Sequence, residues 1–238
     1  MSRLTLIRHG QAGTRADYDT LSELGRCQAF LLGERLVAQR ARFDRAYSGT
    51  LQRQLSTARI VEQSFQEAGL SFPEIVEDPR WDEFDLDDVY AQMAPPLCRD
   101  DETFARGYDE ILTALGDDGQ GVHRRHHDCD IKVVRAWTEG LYDYEGESWP
   151  QFRERILSPL GSLREDAGED GTVVFTSATP IGIWSAQALG LDENGAWRLT
   201  GVSYNSAMTS LRLARGDLRL FSFNSVPHLV DPELWSFR

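Results

Sequence analysis

Apolar and polar positions along this chain follow two different periods. RLTLI (3–7) is a short, nearly unbroken apolar run, which predicts a strand buried in the middle of a sheet. The following LSELGRCQAFLLGERLVAQR shows helical spacing in Leu24, Phe30, Leu31 and Leu36, with Ser22 placed to cap its start. FDRAYS (43–48) predicts a second strand, TLQRQLSTARIVEQSFQEAG a second helix stopped by Gly69, and EIVED (74–78) a third strand. From about Arg80 to Asp166 the pattern changes to acidic clusters, Pro95–Pro96 and the histidine-rich VHRRHHDCD. WPQFRERILSPLGSLRED reads as helical in its first part. TVVFTS (172–177) returns to a strand, with Pro180 where the next helix begins. SAMTSLRLARGDLRLFSFN reads as two strands joined at Arg215–Gly216–Asp217. There is no internal repeat. Strands alternating with helices predict a three-layer α/β/α fold around a mostly parallel central sheet. The expected organisation is a single domain over 1–238, with an insertion at about 84–150 lying over one end of the sheet.

Composition narrows the partners more than the fold. A length of 238 residues, 41% hydrophobic and 26% charged, is that of an ordinary globular chain able to bury a sizeable core. The formal net charge of −13 disfavours nucleic acid and anionic membranes as partners. It leaves a small anionic substrate open, because a local pair of arginines holds one against the overall field. Cys27, Cys98 and Cys129 are widely spaced and form no paired framework, which predicts reduced thiols in a cytoplasmic protein. The N-terminal apolar run stops at Arg8, so no signal peptide is read. TVVFTSATPIGIWSAQALGL is interrupted by Thr, Ser, Pro and Gly and reads as strand, turn and helix rather than a membrane span. Oligomeric state is left open.

Ligands of open α/β sheets bind at the carboxyl ends of strands, and three candidate groups fall there. Arg8–His9–Gly10 directly follows the first strand. A neutral imidazole is a good nucleophile toward phosphorus, the arginine offers a fork for phosphate oxygens, and the glycine lets the backbone turn closely. Arg53 lies on the first turn of the second helix, where a helix N-terminus already favours anions. The third group is VVFTSATPIG, where Ser177 and the amides before Pro180 face the same anion.

LIRHGQA followed by SGTLQRQLSTA (48–58) resembles the histidine phosphatase superfamily, which includes the phosphoglycerate mutases. The resemblance rests on RHG joined to S-x-x-L-x-R-x-x-x-T-A, and the order of elements agrees over most of the chain, least in the insertion. It implies that His9 is phosphorylated while Arg8 and Arg53 clamp the phosphoryl group, with Gly10 and Gln11 lining the phosphate site. It also implies a general acid in RWDEFDLDD (80–88), Glu83 first and Asp82 second. Crowding by Asp82, Asp85, Asp87 and Asp88 would raise the Glu83 pKa if they stay close in the fold. Many members carry a second histidine where this chain has Ser177, so the serine, with Thr176 beside it, would supply a weaker hydrogen bond. A bacterial branch reads T-S-G-G-P-I at this place, which makes the change look like a subfamily trait. The implied reaction is metal-independent hydrolysis of a phosphate monoester, with no cofactor, on a small phosphorylated substrate or a phosphoprotein.

Two alternatives stay open, a weak or inactive phospho-ligand-binding protein and mutase-type phosphoryl transfer. Transfer needs basic residues for a second anionic group, and residues 82–118 hold only Arg99 and Arg106 among many acids. His228, in SFNSVPHL, resembles the N-x-x-x-H-L tail of related phosphatases but reads as a packed or capping residue. His123, His126, His127 and Cys129 lack the spacing of a structural zinc site and read as a polar loop. Trp81, Trp137 and Trp149 are expected to pack the insertion.

Overall fold

The computed structural model describes residues 2–13, 18–116, 126–165, 168–214 and 217–237. Its elements run β1 (Ser2–Arg8), α1 (Glu23–Ala38), β2 (Arg45–Ser48), α2 (Gln52–Glu67) and β3 (Ile75–Glu77). Helices α3 (Leu86–Asp100), α4 (Glu102–Gly116), α5 (His126–Glu139), α6 (Trp149–Leu157) and α7 (Leu160–Glu165) follow. The chain then returns to β4 (Thr172–Thr176), α8 (Ala178–Leu189), α9 (Glu193–Gly201), β5 (Met208–Ala214) and β6 (Asp217–Ser225). The six strands form one sheet in the order β3-β2-β4-β1-β5-β6. β3, β2, β4 and β1 are parallel, while β5 and β6 add an antiparallel ribbon. The predicted α/β fold with a mostly parallel sheet is the one observed.

Every residue of β4 and residues 4–8 of β1 are buried, as expected of central strands covered on both faces. On one face Ile7, Ala46, Val173 and Phe175 pack against Leu32 and Leu36 of α1 and Ala58, Val61 and Phe65 of α2. Helix α8 lies against β1, β5 and β6. The register pairs Arg8 with Thr176, so β1 and β4 end side by side. His9 and Ser177 therefore leave the sheet together, and His9 N donates to Thr176 O at 2.9 Å.

Several sequence readings need correction. Helix α1 is where the spacing put it and Ser22 does cap it, accepting from Gly25 N, but Phe30 is about half exposed. The buried face is Gly25, Gln28, Ala29, Leu32, Gly33 and Leu36, because small residues let α1 approach the turn after β1 and α2. A Cβ on Gly33 would lie 2.3 Å from Ser64 Oγ. The region with the changed pattern is helical, and α3 carries through Pro95 and Pro96 because Val89, Tyr90, Met93, Ala94 and Leu97 bury its apolar face.

The chain divides into two compact units, residues 1–83 with 155–238, and 84–154. In the second, Phe84, Trp137, Trp149 and Phe152 form an aromatic cluster. Trp81 belongs to the first unit, where it stacks on Trp184 at 5.6 Å. His123 lies outside the described residues; His126 and His127 open α5 rather than a loop. Among the described residues no helix is long and apolar enough to cross a membrane.

Candidate active site

Arg8, His9 and Gly10 emerge from β1 into a turn held on all sides. Gly10 N donates to Thr57 Oγ1 at 3.0 Å, and Thr57 in turn donates to the Arg53 carbonyl at 2.8 Å. A Cβ on Gly10 would fall 2.3 Å from Gly25 O, and one on Gly25 would fall 2.1 Å from Gln11 O. The two glycines thus permit a backbone-to-backbone contact between the turn and α1 that any side chain would block. Ser206 N and Asn205 Nδ2 both donate to the His9 carbonyl, at 3.1 and 3.3 Å. Ser206 itself sits at φ 57°, and its hydroxyl is hydrogen-bonded to His228 Nε2 at 2.8 Å. His228 is therefore a packed residue supporting the turn from one step away.

The His9 ring is held in a definite tautomer. Its Nδ1 lies 2.7 Å from Gly10 O, and a carbonyl only accepts, so Nδ1 carries the proton. Nε2 then keeps its lone pair, toward which Arg53 Nε donates at 3.3 Å. Burial, followed by the charges of Arg53 and Arg8, holds the imidazole well below its ordinary pKa. The ring is neutral, with an unprotonated nitrogen beside two guanidinium groups.

Those two groups are anchored differently. Arg53 Nη1 forms a 2.9 Å ion pair with Asp19, whose other oxygen accepts from Gln52 N at 3.1 Å. The Tyr18 ring lies 5.0 Å from the Arg53 guanidinium carbon. Arg8 Nη1 donates to the carbonyls of Ser203 and Phe237, while its Nε is buried without a partner among the described residues. Burial lowers the Arg8 pKa to about 10, against the opposing charges of Tyr18 and Glu83, so it stays cationic at neutral pH. Gln28 fastens residues 234–236 to the turn: its Oε1 accepts from Gln11 N, and its Nε2 donates to Leu234 O and Ser236 Oγ.

The remaining candidates come from the turn after β3 and from the start of α8. Asp82 takes both of its oxygens to Thr50, accepting from the backbone N and from Oγ1 at 2.6 Å each. Glu83 Oε2 accepts from Thr179 N at 3.1 Å, on the first turn of α8, and its charge acts on Arg8. Asp85 caps α3 and Asp88 bonds Tyr144 and Gln92, so these carboxylates have partners of their own. Ser177 is buried at the N-cap of α8, yet its side chain caps nothing and accepts from Gln54 Nε2 at 2.8 Å. The Thr176 hydroxyl is taken by Trp81 O at 2.5 Å, so it is not a donor to the site. Gln11 turns its side-chain oxygen to Ser22 Oγ, 2.8 Å away.

Arg8, His9, Arg53, Glu83 and Ser177 thus come from four separate stretches of the chain into one region of the first unit. Asp19, Gln28, Gln54 and Asn205 take part without having been singled out from the sequence. Thr57 stood in the quoted motif without a role and acquires one as the acceptor for Gly10 N. For the others no local signal existed, since each acts through a partner remote in sequence. Among the described residues no group of three or more His, Cys, Asp or Glu side chains is brought together as a metal site.

Comparison with known proteins bears on the fold and the family. The chain resembles YhfR of Bacillus stearothermophilus, with 21% identity, TM-score 0.65, and 96% and 100% of the two chains covered. It resembles a mycobacterial glucosyl-3-phosphoglycerate phosphatase bound to inorganic phosphate, with 22% identity, TM-score 0.58, and 96% and 99% covered. A phosphoserine phosphatase mutant from Entamoeba histolytica, bound to phosphoserine, gives 19% identity, TM-score 0.58, and 97% and 100% covered. At these identities the likeness is one of fold. No curated protein sequence matches. The profile of the Histidine phosphatase superfamily (branch 1) matches residues 4–129 and 118–226, and the chain belongs to that superfamily.

Proposed function

We propose that the protein hydrolyses phosphate monoesters through a phosphohistidine on His9. The observation that supports this most directly is the His9 ring itself, neutral, protonated on Nδ1 toward Gly10 and unprotonated on Nε2 beside Arg53. A merely packed histidine needs no such tautomer and no flanking cations. In the first step Nε2 attacks phosphorus in line and the bond to the ester oxygen breaks, while Glu83, which must first take up a proton for this role, gives it to the leaving oxygen. Arg8 and Arg53 offset the charge on the equatorial oxygens, which is the role a metal ion fills in other phosphoryl-transfer sites. Glu83, now ionised, takes a proton from water as that water attacks the phosphohistidine. The nitrogen–phosphorus bond breaks and inorganic phosphate leaves. Partners are then a small phosphorylated substrate or a phosphoprotein, and the free thiols of Cys27, Cys98 and Cys129 support a cytoplasmic setting.

The test is hydrolysis of p-nitrophenyl phosphate from about pH 4 to about pH 9 without added metal, together with rapid-quench trapping of phosphoenzyme. The expected result is turnover and an acid-labile, base-stable phosphoenzyme, both lost in His9→Ala. Phosphate binding without any phosphoenzyme across a panel of monoesters would show a binding protein instead.

A further inference from the structure

Ser177 carries a puzzle in its hydrogen bonding. A serine at a helix N-cap ordinarily accepts from an amide of the first turn, but here the side chain makes no capping bond. Its oxygen accepts from Gln54 Nε2 instead, at 2.8 Å. A side-chain amide nitrogen only donates, so this bond leaves the serine proton unused. No described residue takes that proton, although Ser177 is 1% exposed. The β1–β4 register sets Ser177 beside His9, at the strand ends where the two arginines converge.

Gln54 is equally unusual. It is fully buried on α2, next to Arg53 in sequence, and its Nε2 also faces Trp81 O at 3.3 Å. Its Oε1 has no partner among the described residues. A buried amide with an orphan oxygen costs stability, so packing alone is a poor account of its presence. Its donor end, by contrast, does something definite: it fixes which way Ser177 presents its oxygen and frees the hydroxyl hydrogen.

We infer that Gln54 is a positioning residue that turns the Ser177 hydroxyl into a hydrogen-bond donor for the phosphoryl group. This rests on the phosphohistidine reading above and deepens it. Ser177 supplies one neutral donor to a phosphoryl oxygen as charge develops there, and Gln54 keeps the serine proton from turning elsewhere. The shell that directs a donor is then as much a part of the site as the donor itself.

The experiment is a double-mutant cycle with Ser177→Ala and Gln54→Met, begun only after wild type has been shown to form phosphohistidine. Absence of phosphohistidine in wild type defeats the underlying reading; the outcomes below bear on Gln54 alone. Ser177→Ala is expected to lower kcat by roughly 10²–10³, as for one transition-state donor, with KM altered less than about threefold. Gln54→Met is expected to lower kcat at least about tenfold in the wild-type background and less than about twofold in the Ser177→Ala background. Wild-type kcat in Gln54→Met, or an undiminished loss on top of Ser177→Ala, overturns the inference. Gln54→Glu covers the case in which methionine does not fold. An ionised carboxylate accepts the serine proton, whereas a carboxylic acid can donate to Ser177 again. Activity of Gln54→Glu relative to wild type is therefore expected to rise as pH falls through the new carboxyl's titration. A pH-independent ratio overturns the proposal.

Discussion

Two adjacent carboxylates, Asp82 and Glu83, do different things because their partners differ. Asp82 is fully engaged with Thr50, two residues before α2, and so fixes the start of the helix that carries Arg53. Glu83 accepts a backbone bond from Thr179 N, and its charge reaches Arg8. A proton donor matters most when the leaving alcohol is a poor one. Glu83→Gln should therefore slow an alkyl phosphate by roughly 10²–10⁴ while slowing p-nitrophenyl phosphate much less. Asp82→Asn should slow both esters alike, because it loosens the mount of Arg53 rather than a proton path. Steady-state kinetics on the two esters distinguishes these outcomes, and equal slowing of both by Glu83→Gln would remove the acid assignment. His9 adds a second constraint: with its pKa held well below the ordinary value, its neutral form persists as pH falls through 6.5. Any acid limb near that pH belongs to another group.

At the scale of elements, the turn after β1 is seated on helix α1 through the facing backbones of Gly10 and Gly25. Gly25→Ala would put a methyl group 2.1 Å from Gln11 O, a backbone atom that moves only if the turn moves. The expected effect is a destabilisation of about 1–3 kcal/mol, with a loss of activity larger than the loss of folded protein accounts for. Thermal unfolding and kinetics on the folded fraction check it, and an unaltered kcat would show that the turn tolerates the shift. This contact also explains where reading α1 from its sequence went astray. Spacing alone turned Phe30 inward, whereas close approach selected Gly25, Ala29 and Gly33 beside Leu32 and Leu36. Strands β1 and β4 were legible because burial on both faces leaves nearly continuous apolar runs. Helices α3 to α5 were not, since acidic residues and two prolines obscure their periodicity. In the site, Arg8, His9 and Arg53 were legible because they adjoin strand and helix ends. Gln54 and Asp19 were not, because only the folded chain shows what they touch.

For the molecule as a whole, buried histidines tie stability to pH. Burial, with the charge of Arg35 second, lowers the His228 pKa to about 4. An unfolded chain's histidine titrates near 6.5, so between these values the unfolded state binds more protons than the folded one. Stability is therefore fully present above about pH 6.5 and declines as pH falls toward 4. His228 alone accounts for about 2–3 kcal/mol over that window, and His9 acts in the same direction. Urea unfolding at intervals of pH should show this fall, with a shallower slope in His228→Gln. An equal slope in that variant would assign the effect to other groups.

The strand order carries a consequence for biosynthesis. β1, which His9 directly follows, has β4 on one side and β5 on the other, and both come from the last third of the chain. While a ribosome has released only the first half, β1 has neither of its neighbours, and an apolar strand stands open along both edges. Pairings so distant in sequence also form late, because a long loop must close before they are rewarded. The nascent protein therefore passes through a long interval in which a strand destined for the middle of the sheet lacks both neighbours, and in which His9 has no site to belong to. Chaperone dependence and loss to aggregation are expected to concentrate in that interval.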